Sequence, residues 1–246
     1  MGLCQYYLLS VVMLLPALCY SQYTFTSSRA TYYGSPDGLG TPTGACGFGG
    51  YGRTVNDANV AGVSRLWNNG TGCGTCYQVR CTVPEVCTDY GVSVVVTDYG
   101  EGDDTDFILS PRAYGRMAIT DKSEKLYSYG VVDVEFERVS CRFRGYNVMF
   151  KVHENSRYPQ YLAVSMLYVG GQNDVLAVEI WRDRHEWVAM RRAFGAVFDI
   201  PNPPPGAINL RFQVSGSAGL TWVVANNAIP KIWKAGVAYE SAIQLE

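Results

Sequence analysis

Six of the eight cysteines lie from Cys46 to Cys141, and the chain from 142 to 246 holds none. The other two, Cys4 and Cys19, belong to an N-terminal stretch whose apolar run, Leu8 to Leu18, is too short to span a bilayer and ends in Cys19-Tyr20-Ser21. Small residues at that spacing suit a signal peptidase, so residues 1–21 are expected to be a signal peptide and the mature chain to begin near Gln22. No Lys or Arg precedes the run, and an N-terminal membrane anchor is the competing reading. Removing the leader leaves an even set of Cys46, Cys73, Cys76, Cys81, Cys87 and Cys141, which in an oxidising compartment implies three disulfides. Cys73-Gly-Thr-Cys76 has the spacing of a redox pair or half a zinc site. The only histidines, His153 and His185, lie outside the cysteine region, so no metal and no cofactor are expected. Asn69-Gly-Thr71 is a glycosylation sequon in a Gly/Asn-rich stretch that reads as surface loop, in keeping with secretion.

The cysteine boundary divides the roughly 225 mature residues into two domains of ordinary size, 22–143 and 144–246. From Gln22 to Arg142 there are ten basic and fourteen acidic residues, and from Phe143 onward ten and eight. Neither half has the markedly basic balance that nucleic-acid binding asks for.

Strand patterns fill the second half. In Tyr161 to Val169, the residues Leu162, Val164, Met166 and Tyr168 are expected on one face, with Tyr161 on the other. Further strands are predicted at Val175–Trp181, Trp187–Met190, Asn209–Val214 and Thr221–Ala225. They are separated by Gly170-Gly171, by Asp183-Arg-His185 and by Pro201-Asn-Pro-Pro-Pro205, which suits a β-sandwich. Aromatic rings left off its inward faces either stack on pyranose sugars or are plain core. The first half is also β-rich. Val92 to Thr97 is nearly continuous valine, the pattern of a strand buried on both faces, and Asp98 closes it where it can line a cleft. Asp103, Asp104 and Asp106 read as a solvated acidic loop.

Several motifs in fixed order resemble one family. They are Ala30-Thr-Tyr-Tyr-Gly34, Thr43-Gly-Ala-Cys-Gly-Phe-Gly49, Cys73-Gly-Thr-Cys-Tyr77, Val96-Thr-Asp98, Phe107-Ile-Leu-Ser110 with Ala113-Tyr-Gly115, and Tyr161-Leu-Ala-Val164. Together they are similar to the expansins over essentially the whole mature chain. The resemblance implies a six-stranded double-psi β-barrel like that of family-45 glycoside hydrolases, followed by an immunoglobulin-like β-sandwich. It also implies the pairing Cys46–Cys73, Cys76–Cys141 and Cys81–Cys87, which spacing alone cannot select. The expected groove residues are Thr31, Tyr33 and Asp98, and the expected aromatic row is Tyr161, Phe194 and Trp233. Phe194 stands where the family has tryptophan.

The chain departs from the family at the His-Phe-Asp triplet. Aligned on Leu109-Ser110, the histidine becomes Asp106 and the aspartate becomes Ile108, a loss that marks the expansin-like subfamilies and points to the B type. Shifting the register to recruit Asp106 is expected to turn its carboxylate to the other face of the strand. Inverting hydrolysis needs one carboxylic acid and a second carboxylate, so with Asp98 alone the chain is expected not to be an enzyme. The family implies a secreted, monomeric cell-wall protein that binds cellulose, xyloglucan or other hemicellulose, and loosens the wall without cutting it. A purely wall-binding protein and a residual endoglucanase are the alternatives. Lys231, Lys234, Arg191 and Arg192 either favour acidic polymers such as pectin or form a solvated basic rim. Any response to acid is expected from carboxyl groups such as Asp98, since neither histidine lies in the barrel.

Overall fold

A computed structural model describes residues 25–102, 105–182, 185–216 and 219–245. The expected leader, 1–21, and Asp103 and Asp104 lie outside the described residues. Among the described residues no helix is long and apolar enough to cross a membrane.

Six strands close a barrel in the order β1 (Thr26–Tyr32), β5 (Phe107–Leu109), β2 (Val60–Val63), β4 (Val92–Tyr99), β3 (Cys76–Cys81), β6 (Val132–Val139). The β1–β5 and β2–β4 pairs are parallel and the others antiparallel. Val94, Val96, Phe107 and Leu109 fill the interior, while Val95 is buried on the opposite side of its strand, as the valine run requires. After β5 the chain turns into a short helix, Pro111–Arg116, whose start is written in the sequence. Ser110 caps it by accepting the Ala113 N–H, Pro111 occupies a position that needs no donor, and the buried Ser110 hydroxyl donates to Ala58 O at 2.6 Å. The three disulfides are Cys46–Cys73, Cys76–Cys141 and Cys81–Cys87, as the resemblance implies. Cys73 and Cys76 therefore belong to different bridges and form neither a redox pair nor a zinc half-site.

The second half is a β-sandwich. One sheet has the order β10 (Glu186–Ala189), β9 (Asp174–Arg182), β13 (Ile208–Gly216), β14 (Gly219–Ile229). The other has the order β11 (Arg191–Phe194), β12 (Val197–Pro201), β8 (Tyr161–Leu167), β7 (Met149–Val152), β15 (Ala238–Glu240). Leu162, Val164 and Met166 enter the sandwich core as expected. The opposite face of β8 is not solvated, however, because Ala163, Ser165 and Leu167 are buried as well, and Leu167 joins the barrel core. Tyr168 leaves the strand with φ 58° and stacks on Tyr146, so it does not continue the inward face.

The burial of that face reflects how the two halves dock. Arg138 on β6 grips Asp174 on β9 through two bonds of 2.9 and 2.6 Å, the buried Lys151 donates to Phe48 O, and Cys141 and Gly171 exchange backbone bonds. At Gly47 (φ 76°), any side chain would strike Val197 and Phe194, so the barrel loop lies directly against the end of β11 and β12.

Candidate functional site

The barrel register assembles one row of residues across four neighbouring strands. Thr31 pairs with Ile108, Ile108 with Gly62, and Gly62 with Asp98. Residues in register share a face. The flanking positions Ala30, Phe107, Leu109 and Ala61 fill the interior, so Thr31, Ile108 and Asp98 face outward around a glycine floor. Gly62 provides depth because it contributes no side chain between its two neighbours. Ile108 leans across Gly100, its Cδ1 lying 2.7 Å from where a Cβ on that glycine would stand.

Asp98 is fixed by backbone. Its Oδ1 accepts the Ala45 N–H at 2.6 Å and its own neighbour's N–H, from Tyr99, at 2.8 Å. A Cβ on Gly44 would stand 2.6 Å from Thr97 O, so the Thr43-Gly-Ala motif is what lets this loop approach the carboxylate. Among the described residues Oδ2 has no hydrogen-bond donor. Tyr33 follows Thr31 on the same face of the extended chain and donates its N–H to Leu109 O. Burial, and then the Asp98 carboxylate, push its phenol well above the usual tyrosine range. Tyr33 therefore stays a neutral hydrogen-bond donor. The Thr31 hydroxyl donates to Gly130 O at 3.0 Å, so toward a ligand it presents lone pairs only.

Asp106 is not part of a solvated loop. It is 5% exposed and receives Arg65 Nε at 2.7 Å and Nη2 at 2.6 Å, with Ser28 at 2.7 Å and Ser64 at 3.3 Å. The expectation that it would lie on the opposite face from Ile108 is also corrected, since an offset of two residues preserves strand parity. The arginine fork and its position ahead of β5, two residues before Ile108, remove it from the row. Burial raises its pKa, but the bonds from Arg65 and Ser28 outweigh that and hold it below the ordinary carboxylate value, the wrong direction for a general acid. A folded pKa below the unfolded one, ~3.9, means stability that is present above that value and lost as pH falls through the folded pKa. Asp106→Asn should therefore lower the unfolding free energy at pH 6 by about 1–3 kcal/mol, with the difference from the parent shrinking toward pH 2 in urea titrations.

On the sandwich, the face beside the groove carries Phe194, which is 44% exposed, and the half-buried Tyr161. Extending the β12–β8 register places them about 13 Å apart along the strands. Asp199, 3% exposed, holds Tyr161 in place by accepting its hydroxyl at 2.7 Å and is itself gripped by Arg191 at 3.0 and 2.6 Å. His153 packs edge-on to Phe194, with ring centroids 5.5 Å apart, and sequence reasoning missed it. Its only signal was proximity to the β7 strand pattern. Burial, and then Lys151, lower its pKa against an opposing pull from Glu154.

Trp233 does not join this face. It is 4% exposed within the sandwich core, with Tyr158 edge-on at 5.1 Å. Arg191, Lys231 and Lys234 are exposed, as a solvated rim requires, while Arg192 is not, and neither arginine is a free anion site. Arg191 holds Asp199, and Arg192 is half-buried with Gly195 O at 2.6 Å, Val175 O at 2.6 Å and the Phe198 ring as partners. Asn69 is exposed.

Comparison with known proteins matches residues 148–230 to the family model described as Expansin C-terminal domain and residues 59–136 to the one described as Lytic transglycolase. Expansin-like B1 of Arabidopsis thaliana is 59% identical over 237 residues, 96% of this chain and 94% of that protein. Expansin-like B1 of Oryza sativa subsp. japonica is 42% identical, over 90% of this chain and 89% of its own length. The chain belongs to the expansin family, in its expansin-like B branch. Two crystal structures of an expansin from Clavibacter michiganensis, one apo and one of a mutant in complex with cellohexaose, share the fold at TM-scores of 0.65 and 0.67 and 22% identity. Each comparison covers 90% of this chain and 98% of theirs.

Proposed function

We propose that this chain is a secreted, monomeric plant cell-wall protein that binds cellulose or a hemicellulose such as xyloglucan along the barrel groove and the adjoining sandwich face, and loosens the wall without hydrolysis. The observation that carries this reading is the row Thr31, Ile108, Gly62, Asp98. Two strand spacings separate positions 108 and 98, about 9–10 Å. That is close to the roughly 6.5–9.5 Å between carboxyl groups of inverting glycosidases, so isoleucine stands where a second carboxyl group would be needed. What remains is a neutral phenol, one fixed carboxylate and an apolar side chain, a set that hydrogen-bonds and packs on a glycan without a proton donor for its leaving oxygen. The cellohexaose bound by the bacterial relative supports a β-glucan as ligand.

Purified protein added to a heat-inactivated wall strip under constant load should extend it and release no soluble sugar. Sugar release would overturn the non-hydrolytic reading, and binding without extension would leave a wall-binding protein alone. Phe194→Ala should weaken binding to cellulose by about 1 kcal/mol, roughly fivefold, in depletion isotherms. Removal of residues 1–21, two domains divided near 143, and a glycan on Asn69 belong to the same proposal. N-terminal sequencing and a glycosidase mobility shift test the leader and the glycan.

A further inference from the structure

The segment leading from the barrel into the sandwich is flanked by two clefts of about 590 and 550 Å³, both lined by Arg142, Phe143, Arg144, Tyr146 and Tyr168. Thr31, Ile108, Asp98 and Phe194 line neither. The clefts are built on packed aromatic rings. Tyr168 donates its N–H to the Tyr51 hydroxyl at 3.3 Å, takes edge contacts from Tyr51 and Phe143, and is stacked by Tyr146 with centroids 4.3 Å apart and planes 8° from parallel. One face of Tyr146 is thus covered, and the residue remains 49% exposed.

The arginines here differ from most others in the chain. Arg53, Arg80, Arg138, Arg191 and Arg211 each hold a carboxylate, whereas Arg142 and Arg144 are exposed and, among the described residues, pair with none. Asp57, at the edge of one cleft, is occupied by Arg112 and Arg116. Two guanidinium groups with no carboxylate partner among the described residues, beside an available tyrosine face, form a concave surface complementary to a carboxylate carried on a flat sugar ring. We propose that this joint binds a uronate-bearing glycan, with Arg142 and Arg144 taking carboxylates and Tyr146 stacking on a pyranose. The assignment does not depend on the groove.

The test is affinity of the intact protein for polygalacturonate, for its methyl ester and for dextran sulfate, at about 0.15 M salt where long-range attraction is screened. Polygalacturonate should bind about tenfold more tightly than the ester, and the double variant Arg142→Gln/Arg144→Gln should lose about tenfold while its cellulose binding is unchanged, which also reports folding. Tyr146→Ala should weaken polygalacturonate binding about fivefold. Unchanged affinity in the double variant, or equal affinity for acid and ester, would overturn the assignment. So would dextran sulfate binding as tight as polygalacturonate with no effect of Tyr146→Ala, the mark of an unselective polyanion patch.

Discussion

Replacing Trp233 with Ala should lower the unfolding free energy by about 3–5 kcal/mol, while the fraction that remains folded binds cellulose as the parent does. The side chain is 4% exposed, belongs to the sandwich core and meets Tyr158 edge-on, so deleting it removes a large buried ring and leaves a cavity that the two sheets can only partly close. Urea titration measures the first effect and a cellulose depletion isotherm on folded protein the second. Phe194→Ala should show the opposite pattern, since that ring is 44% exposed and borders the groove: little change in stability and weaker binding. Loss of cellulose binding by folded Trp233→Ala would return this residue to the binding surface and overturn its placement in the core.

The contrast between those two residues shows which parts of the site were legible in the sequence. Tyr161 opens strand β8, where period-2 alternation tells inward from outward, whereas Phe194 and Trp233 were both given by the family resemblance alone. Trp233 follows Pro230 in a segment outside any strand, so no periodicity says which way its side chain turns. Of the groove residues, Asp98 could be read from its place at the end of a buried valine strand, whereas Thr31 and Tyr33 came from the family resemblance. The structure supplies the reason those family motifs recur here: the Gly44 loop has to approach Asp98, and Ser110 with Pro111 starts a helix. Asp106 was misread because its environment comes from Arg65 and Ser28, distant in sequence. The burial of Leu167 and the turn at Tyr168 were invisible for a related reason: both depend on how the barrel and sandwich dock, and a strand pattern records only its own sheet.

Asp98→Ala should reduce wall extension to the level of buffer, and Ile108→Ala should leave it largely intact. Asp98 is the one carboxylate in the four-strand row, and the Ala45 and Tyr99 N–H groups hold its Oδ1 while Oδ2 has no hydrogen-bond donor among the described residues. A charged acceptor fixed in this way makes hydrogen bonds to sugar hydroxyls worth about 1.5–3 kcal/mol, which no other residue of the row replaces, because Ile108 is apolar and Thr31, whose hydroxyl donates to Gly130 O, offers only uncharged lone pairs. The same substitution strips the Ala45 loop of its acceptor, and that loop abuts Gly195 of the sandwich. Asp98→Asn separates the two roles, since the amide oxygen can still accept the backbone N–H groups and keep the loop in place while the charge is lost. If charge on the groove floor is what engages the glycan, Asp98→Asn extends walls as poorly as Asp98→Ala but unfolds like the parent. If the loop's position is what matters, Asp98→Asn retains extension and only Asp98→Ala fails. Full extension by Asp98→Ala would place the activity outside the barrel groove altogether, leaving the sandwich face around Phe194 and Tyr161 to account for it.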